Sequence, residues 1–95
     1  MTAIELATFR AKPDQAEQMA AGIVAAVGVM SGADGCLGAT AMQCIERPDE
    51  FVLRVEWTEV ASHFAFRDSP EFPRYRAHFA EHLDELAGFA HYNEL

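Results

Sequence analysis

The sequence predicts an α+β fold, with four antiparallel strands and helices packed on one face of the sheet. Three observations predict it: strict period-two alternation in two segments, helical periodicity between them, and turn chemistry wherever the period changes. Residues 2–10 alternate, with Ile4, Leu6 and Thr8 facing one way and Glu5, Ala7 and Phe9 the other. That is a first strand. "KPD" stops it, and Pro13 and Asp14 suit the start of a helix.

From there Ala16, Met19, Ala20, Ile23, Val24, Val27 and Met30 recur on one helical face, so a first helix is expected over residues 14–30. Gly22 and Gly28 lower its propensity but permit close packing. "SGADG" breaks it, and residues 36–46 read as a second strand. "RPDE" at 47–50 is a turn. "FVLRVEW" follows, with Phe51, Leu53, Val55 and Trp57 on one face and Val52, Arg54 and Glu56 on the other, completing a hairpin.

Thr58 suits the N-cap of a short helix running to about Arg67, with Val60, His63 and Phe64 on one side. "DSPEFP" resets the chain. A third helix is expected over residues 73–87, burying Tyr75, Phe79, Leu83 and Leu86; Gly88 ends it, and "FAHYNEL" supplies a fourth strand. The order β-α-β-β-α-α-β is a ferredoxin-like layout within one domain spanning residues 1–95. Helices can cover only one face. Phe9, Ala7, Val52, Ala90 and Tyr92 are expected on the other, among Arg54 and Glu56. That mixture is too apolar for bulk water and predicts a homodimer formed through the open sheet face.

Size and charge narrow the partners. A chain of 95 residues buries only about 65% of its unfolded surface, so a second subunit would stabilise it. Fifteen acidic residues against seven basic ones give a net charge of -8, which repels nucleic acid and anionic membranes. A small molecule or another protein is expected instead. The N-terminus has no signal-peptide pattern, and the apolar run at 19–30 is too short to span a bilayer, so cytoplasmic residence is expected. Cys36 and Cys44 fall on one strand, roughly 26 Å apart, and cannot bond to each other.

The span "GCLGATAMQCIERPDEFVLRVEWTEVASHFAFRDSPEFPRY" resembles the antibiotic biosynthesis monooxygenase superfamily. The likeness lies in the Gly-Cys-Leu start of strand two, the Phe-led strand three ending in Glu-Trp, and the Ser-Pro-x-Phe stretch before a helix. The resemblance implies a dimeric α/β barrel with a pocket between each sheet and its helices. It also implies oxygenase chemistry that, in some members, uses no metal, flavin or haem. Trp57 matches a pocket-lining tryptophan of quinone-forming members; His63 stands where they have a tyrosine, and Arg76 matches a pocket arginine. Leu53 replaces an asparagine, while Arg67 and Glu71 stand where other branches carry histidines. Leu6 and Arg76 occupy the positions of the haem-degrading branch's asparagine and histidine, which argues against haem.

These readings define the candidate site. His63 is expected to take a phenolic proton and Arg76 to balance the phenolate, as the catalytic pair. Trp57, Leu53, Phe64, Arg67, His78 and His82 are the candidate substrate-binding residues. "HFAEH" places His78 and His82 four apart on the expected helix, like an inverted zinc-protease signature. That helix is already committed to packing, and 95 residues cannot build a protease cleft, so no metal is expected; that no cofactor is expected is what the resemblance implies. The expected function is a cofactor-independent monooxygenase acting on a phenolic, quinol or polyketide-like aromatic. The alternative is a non-catalytic ligand-binding or accessory dimer on the same scaffold.

Overall fold

The computed structural model describes residues 2–95. Strands β1 (Ala3–Ala11), β2 (Cys36–Gln43), β3 (Glu50–Trp57) and β4 (Leu83–Tyr92) form one antiparallel sheet in the order β2-β3-β1-β4. Helices α1 (Ala16–Met30), α2 (Val60–Arg67) and α3 (Glu71–Ala77) accompany it, and a single 3-10 turn (Ala80–His82) leads from α3 into β4. The arrangement is the expected ferredoxin-like α+β fold.

Strand β3 has the alternation the sequence predicts: Phe51, Leu53, Val55 and Trp57 are all buried. Strand β1 is its central partner, and the register sets its inward face. Phe9 lies opposite Phe51 and Ala7 opposite Leu53, so Glu5, Ala7, Phe9 and Ala11 point into the core. The expectation that Ala7 and Phe9 lie on the uncovered face is therefore corrected. Both faces of β1 carry apolar residues, and alternation alone cannot say which side the helices take. Ile4, Leu6 and Thr8 occupy the uncovered face with Val52 and Ala90, their partners across the sheet.

Helix α1 buries Met19, Ile23, Ala26 and Met30, a stripe at helical spacing. Val24, expected in that stripe, is 67% exposed. The helix starts two residues late because Asp14 takes a left-handed φ of 63°, which a helix cannot include. Gly22 matters more than its propensity suggests: a Cβ there would lie 2.2 Å from the backbone oxygen of His78. The chain leaving α3 packs directly on the α1 backbone at that point. In α2 the inward residues are His63 and Phe66, whereas Val60 is 39% exposed; the N-cap is Glu59 rather than Thr58.

The largest correction concerns the third helix. It ends at Ala77, and Leu83–Tyr92 is strand, not helix followed by strand. Leu83 and Leu86 fit a helical stripe after Tyr75 and Phe79, but β1 needs a partner on its free edge, and β4 pairs along it from Ile4↔Tyr92 to Ala11↔Leu83. Register shifts after Thr8 and Arg10 break the alternation that would have revealed the strand. Gly88 sits at that irregularity with a φ of 147°, which suits glycine alone. His78 and His82 consequently share no helix face: His78 follows α3, and His82 ends the 3-10 turn with its Nδ1 2.9 Å from Gln15 Oε1. Strand β2 also stops at Gln43 rather than reaching Glu46, where Arg47 and Glu50 close the turn by a double hydrogen bond. Cys36 and Cys44 are both free thiols.

Candidate functional site: a cavity with one polar corner

Between the covered sheet face and the helices lies a cavity of about 130 Å³, open on one side. Much of its wall is aromatic. Phe66 meets Tyr75 edge-on at 5.6 Å, Tyr75 meets Phe79 at 5.2 Å, and Phe79 meets Phe9 at 5.4 Å. Such edge-to-face contacts hold rings rigidly and add to their burial energy. Leu86 and Phe89 of β4 complete the wall but stay 46% and 45% exposed, so β4 forms the open side.

One corner is polar. Glu5 is only 4% exposed, and its Oε1 accepts the Trp57 Nε1–H at 2.9 Å. The His63 Nδ1 stands 3.6 Å from the same oxygen and 2.8 Å from His91 Nε2. Trp57 and Phe64 stack on the His63 ring, with centroids at 5.6 Å and 5.1 Å and planes within 11°. Strand pairing explains the meeting: Glu5 lies opposite His91 across β1 and β4, while α2 lowers His63 onto them from the helical layer.

Electrostatics follow from this burial. Desolvation raises the Glu5 pKa above its ordinary value, against the lowering by the Trp57 hydrogen bond and the His91 charge. The same desolvation, helped by the charges of His91 and Arg67, lowers His63 to about 4. His63 is therefore neutral at pH 7. Burial, and then the charge of Glu5, holds the Tyr75 hydroxyl far above its usual range. Two guanidinium groups, Arg67 and Arg76, also line the cavity, and both residues are exposed. The Arg67 Cζ lies 4.6 Å above the Phe64 ring.

The structure thus brings His63, Arg67 and Arg76 together around one cavity. Trp57 stands behind its wall, anchoring Glu5 and backing His63. Leu53 is fully buried in the core and does not reach the cavity; Phe64 backs His63 from the other side. His78 and His82 lie away from it. Glu5 and His91 were not singled out from the sequence. Glu5 falls there beside Ala7 and Phe9, on the face expected to lie away from the helices, and only the pairing of β1 with β3 and β4 reveals otherwise. Among the described residues no cluster of three or more His, Cys, Asp or Glu side chains could hold a metal ion. No described helix is long and apolar enough to cross a membrane.

Comparison with known proteins agrees with this architecture. Residues 2–78 match the family model described as antibiotic biosynthesis monooxygenase. A solved structure from Bordetella bronchiseptica, provisionally assigned as such a monooxygenase, superposes with a TM-score of 0.91 at 27% identity, covering 99% of this chain and 97% of that one. Structures from Chloroflexus aurantiacus (TM-score 0.81, 21% identity, 100% and 94% covered) and Pseudomonas aeruginosa (0.83, 20%, 99% and 94%) share the fold. No curated protein matches the sequence. With its sheet order, its helical layer and most of its length accounted for in this way, the chain belongs to the antibiotic biosynthesis monooxygenase family.

Proposed function

We propose that the chain is a cofactor-independent monooxygenase that oxidises a phenolic or quinol ring with dioxygen. The observation that carries the reading is the polar corner inside an aromatic box. A ring can lie against Phe66, Tyr75 and Phe79 with its hydroxyl toward Glu5 and His63, while Arg67 and Arg76 sit at the opening. Phenols are poor electron donors and phenolates good ones, so the protein's task is to ionise the ring and shield it from water.

The chemistry closes without an outside reductant. A phenol with a free para position gives the quinone, and a quinol with a free ortho position the hydroxyquinone: one oxygen atom enters the ring, and the other leaves as water with two hydrogens of the substrate. All four electrons come from the ring. His63, neutral at pH 7, can receive a proton, and Arg76, from its place at the mouth, can offset the phenolate charge held in the corner.

Cavity size bears on the substrate. An apolar cavity of about 150 Å³ holds one benzene, so about 130 Å³ encloses a single ring. A polycyclic polyketide-like substrate would have to extend past Leu86 and Phe89. On this reading the two protomers cover each other's open sheet faces, where Ile4, Leu6 and Val52 are half-buried, and the subunits act as a cytoplasmic homodimer.

Oxygen uptake by chelator-treated protein with a panel of hydroquinones and anthrones tests the activity. Saturable uptake that falls at least about tenfold in Arg76→Ala is expected. Rates equal to the uncatalysed background would remove the oxygenase reading. Tight binding without turnover would instead favour a non-catalytic ligand-binding or accessory dimer, which Leu53, Arg67 and Glu71, standing where other members carry polar catalytic groups, also suit.

A further inference from the structure

We propose that Glu5, rather than His63, is the group that takes the proton of the bound phenol, handing its negative charge to the ring. The inference rests on the phenol-oxidising reading above and assigns the base within that site. Among the described residues lining the cavity, Glu5 is the one carboxylate. Its Oε1 is held by the Trp57 indole N–H. Its Oε2 bonds no described protein group, yet no buried side-chain oxygen is left without a partner. That oxygen therefore keeps accessible surface, and Glu5 lines the cavity.

A structural role alone does not require an acid here. A glutamine would accept the Trp57 N–H equally well and would bury no charge. A carboxylate sealed behind an indole and an aromatic wall is costly unless paired. Its neighbours offset that cost only in part: His63 stands 3.6 Å away and is held neutral by its surroundings, and the His91 charge lowers the Glu5 pKa by less than burial raises it. From β4, His91 faces it across the pair; from α3, Tyr75 does so with a hydroxyl that stays protonated. Cys36 feels its charge from β2. Arg67 and Arg76 are solvent-exposed at the mouth.

The number of charges created favours the carboxylate as acceptor. When Glu5 takes the proton, the phenolic O–H bond breaks, a carboxylic O–H forms, and the corner holds one negative charge before and after. When His63 takes it, a buried cation and a phenolate appear together, beside the opposing charges of His91 and Arg67. Burial of Glu5 also moves it toward the working pH, where a general base is most effective.

The test uses 4-nitrophenol at a pH where it is already ionised in solution. Binding of the phenolate to the full-length chain should then draw about one proton from the buffer, counted by calorimetry in two buffers of different ionisation enthalpy. Glu5→Gln, which keeps the acceptor for Trp57, should draw none. An infrared difference spectrum of the wild type should gain a carboxylic-acid band on binding, and this measurement stands even if the variant does not fold. A wild type that gains no acid band, or a variant that draws as many protons as its parent, overturns the assignment. A gained acid band with 4-nitrophenol, together with no oxygen consumption on the hydroquinone and anthrone panel, would keep Glu5 as the acceptor and remove the oxygenase reading, so the two fail separately.

Discussion

His63 is neutral in the folded protein because burial makes its charged form expensive, and this leaves a mark on stability. Its pKa of about 4 lies below the ordinary value of about 6.5, so the unfolded chain takes up that proton first as pH falls. Its stabilising contribution is complete above about pH 6.5 and is lost between there and about 4, on the order of 3 kcal/mol in all. Glu5 acts in the opposite sense: its pKa is raised, so acidification relieves part of its burial penalty. The His63→Gln variant should therefore lose less stability than its parent between pH 7 and pH 4.5. Urea unfolding at a series of pH values measures this, and parallel curves for the two proteins would contradict it. Trp57→Phe leaves the buried Glu5 carboxylate without its donor. It should cost about 2–3 kcal/mol at pH 7 and less at pH 4, where Glu5 carries a proton, as the same denaturation series would report.

At the scale of elements, one helix offers two glycines with opposite forecasts. Both lie inside α1, where alanine is intrinsically favoured by about 1 kcal/mol. At Gly28 a Cβ meets nothing within 4 Å, so Gly28→Ala should stabilise by about 0.5–1 kcal/mol. At Gly22 a Cβ would collide with the His78 carbonyl, and backbone cannot step aside as a side chain can. Gly22→Ala should destabilise by about 2 kcal/mol or more. Thermal denaturation of the pair separates propensity from packing; equal shifts would mean that the chain after α3 does not rest on α1.

The same scale shows what the sequence could disclose. Strand β3 was fully legible because its faces differ in kind: Phe51, Leu53, Val55 and Trp57 against Arg54 and Glu56. Strand β1 was legible as a strand but not in its orientation, since Ile4 and Leu6 rival Ala7 and Phe9 in hydrophobicity. The boundary at Leu83 was hidden because Leu83 and Leu86 satisfy a helical spacing, while bulges opposite β1 blur the period of the strand. Inverting β1 had a functional consequence. With that face taken as the uncovered one, Glu5 lies away from the helices, whereas the structure buries it beside the cavity. That His63, Arg67 and Arg76 line one cavity is not legible from periodicity, which places none of them relative to the others.

The whole molecule measures 39 × 32 × 17 Å. Its thin dimension accommodates a sheet and a single helical layer, since packed layers lie roughly 10 Å apart. One sheet face is thus left without a layer of its own, and Leu6, Val52 and Ala90 lie on it in register. A second copy seated there predicts a sedimenting species of twice the 10.5 kDa chain mass. Leu6→Arg, at the centre of that face, should weaken self-association at least about tenfold. A wild-type chain that sediments as a monomer at micromolar concentration would contradict the dimer.

The central claim is that a phenolic ring lies in the cavity with its hydroxyl at the Glu5 corner. Trp57 is the only tryptophan, and its indole N–H is donated to Glu5, so a single nitrogen-15 resonance reports on that corner. Titrating the protein with a one-ring hydroquinone under anaerobic conditions should move this one indole peak saturably. In the free protein the peak should also titrate with pH as Glu5 ionises. An indole resonance that stays put at saturating hydroquinone would contradict the account.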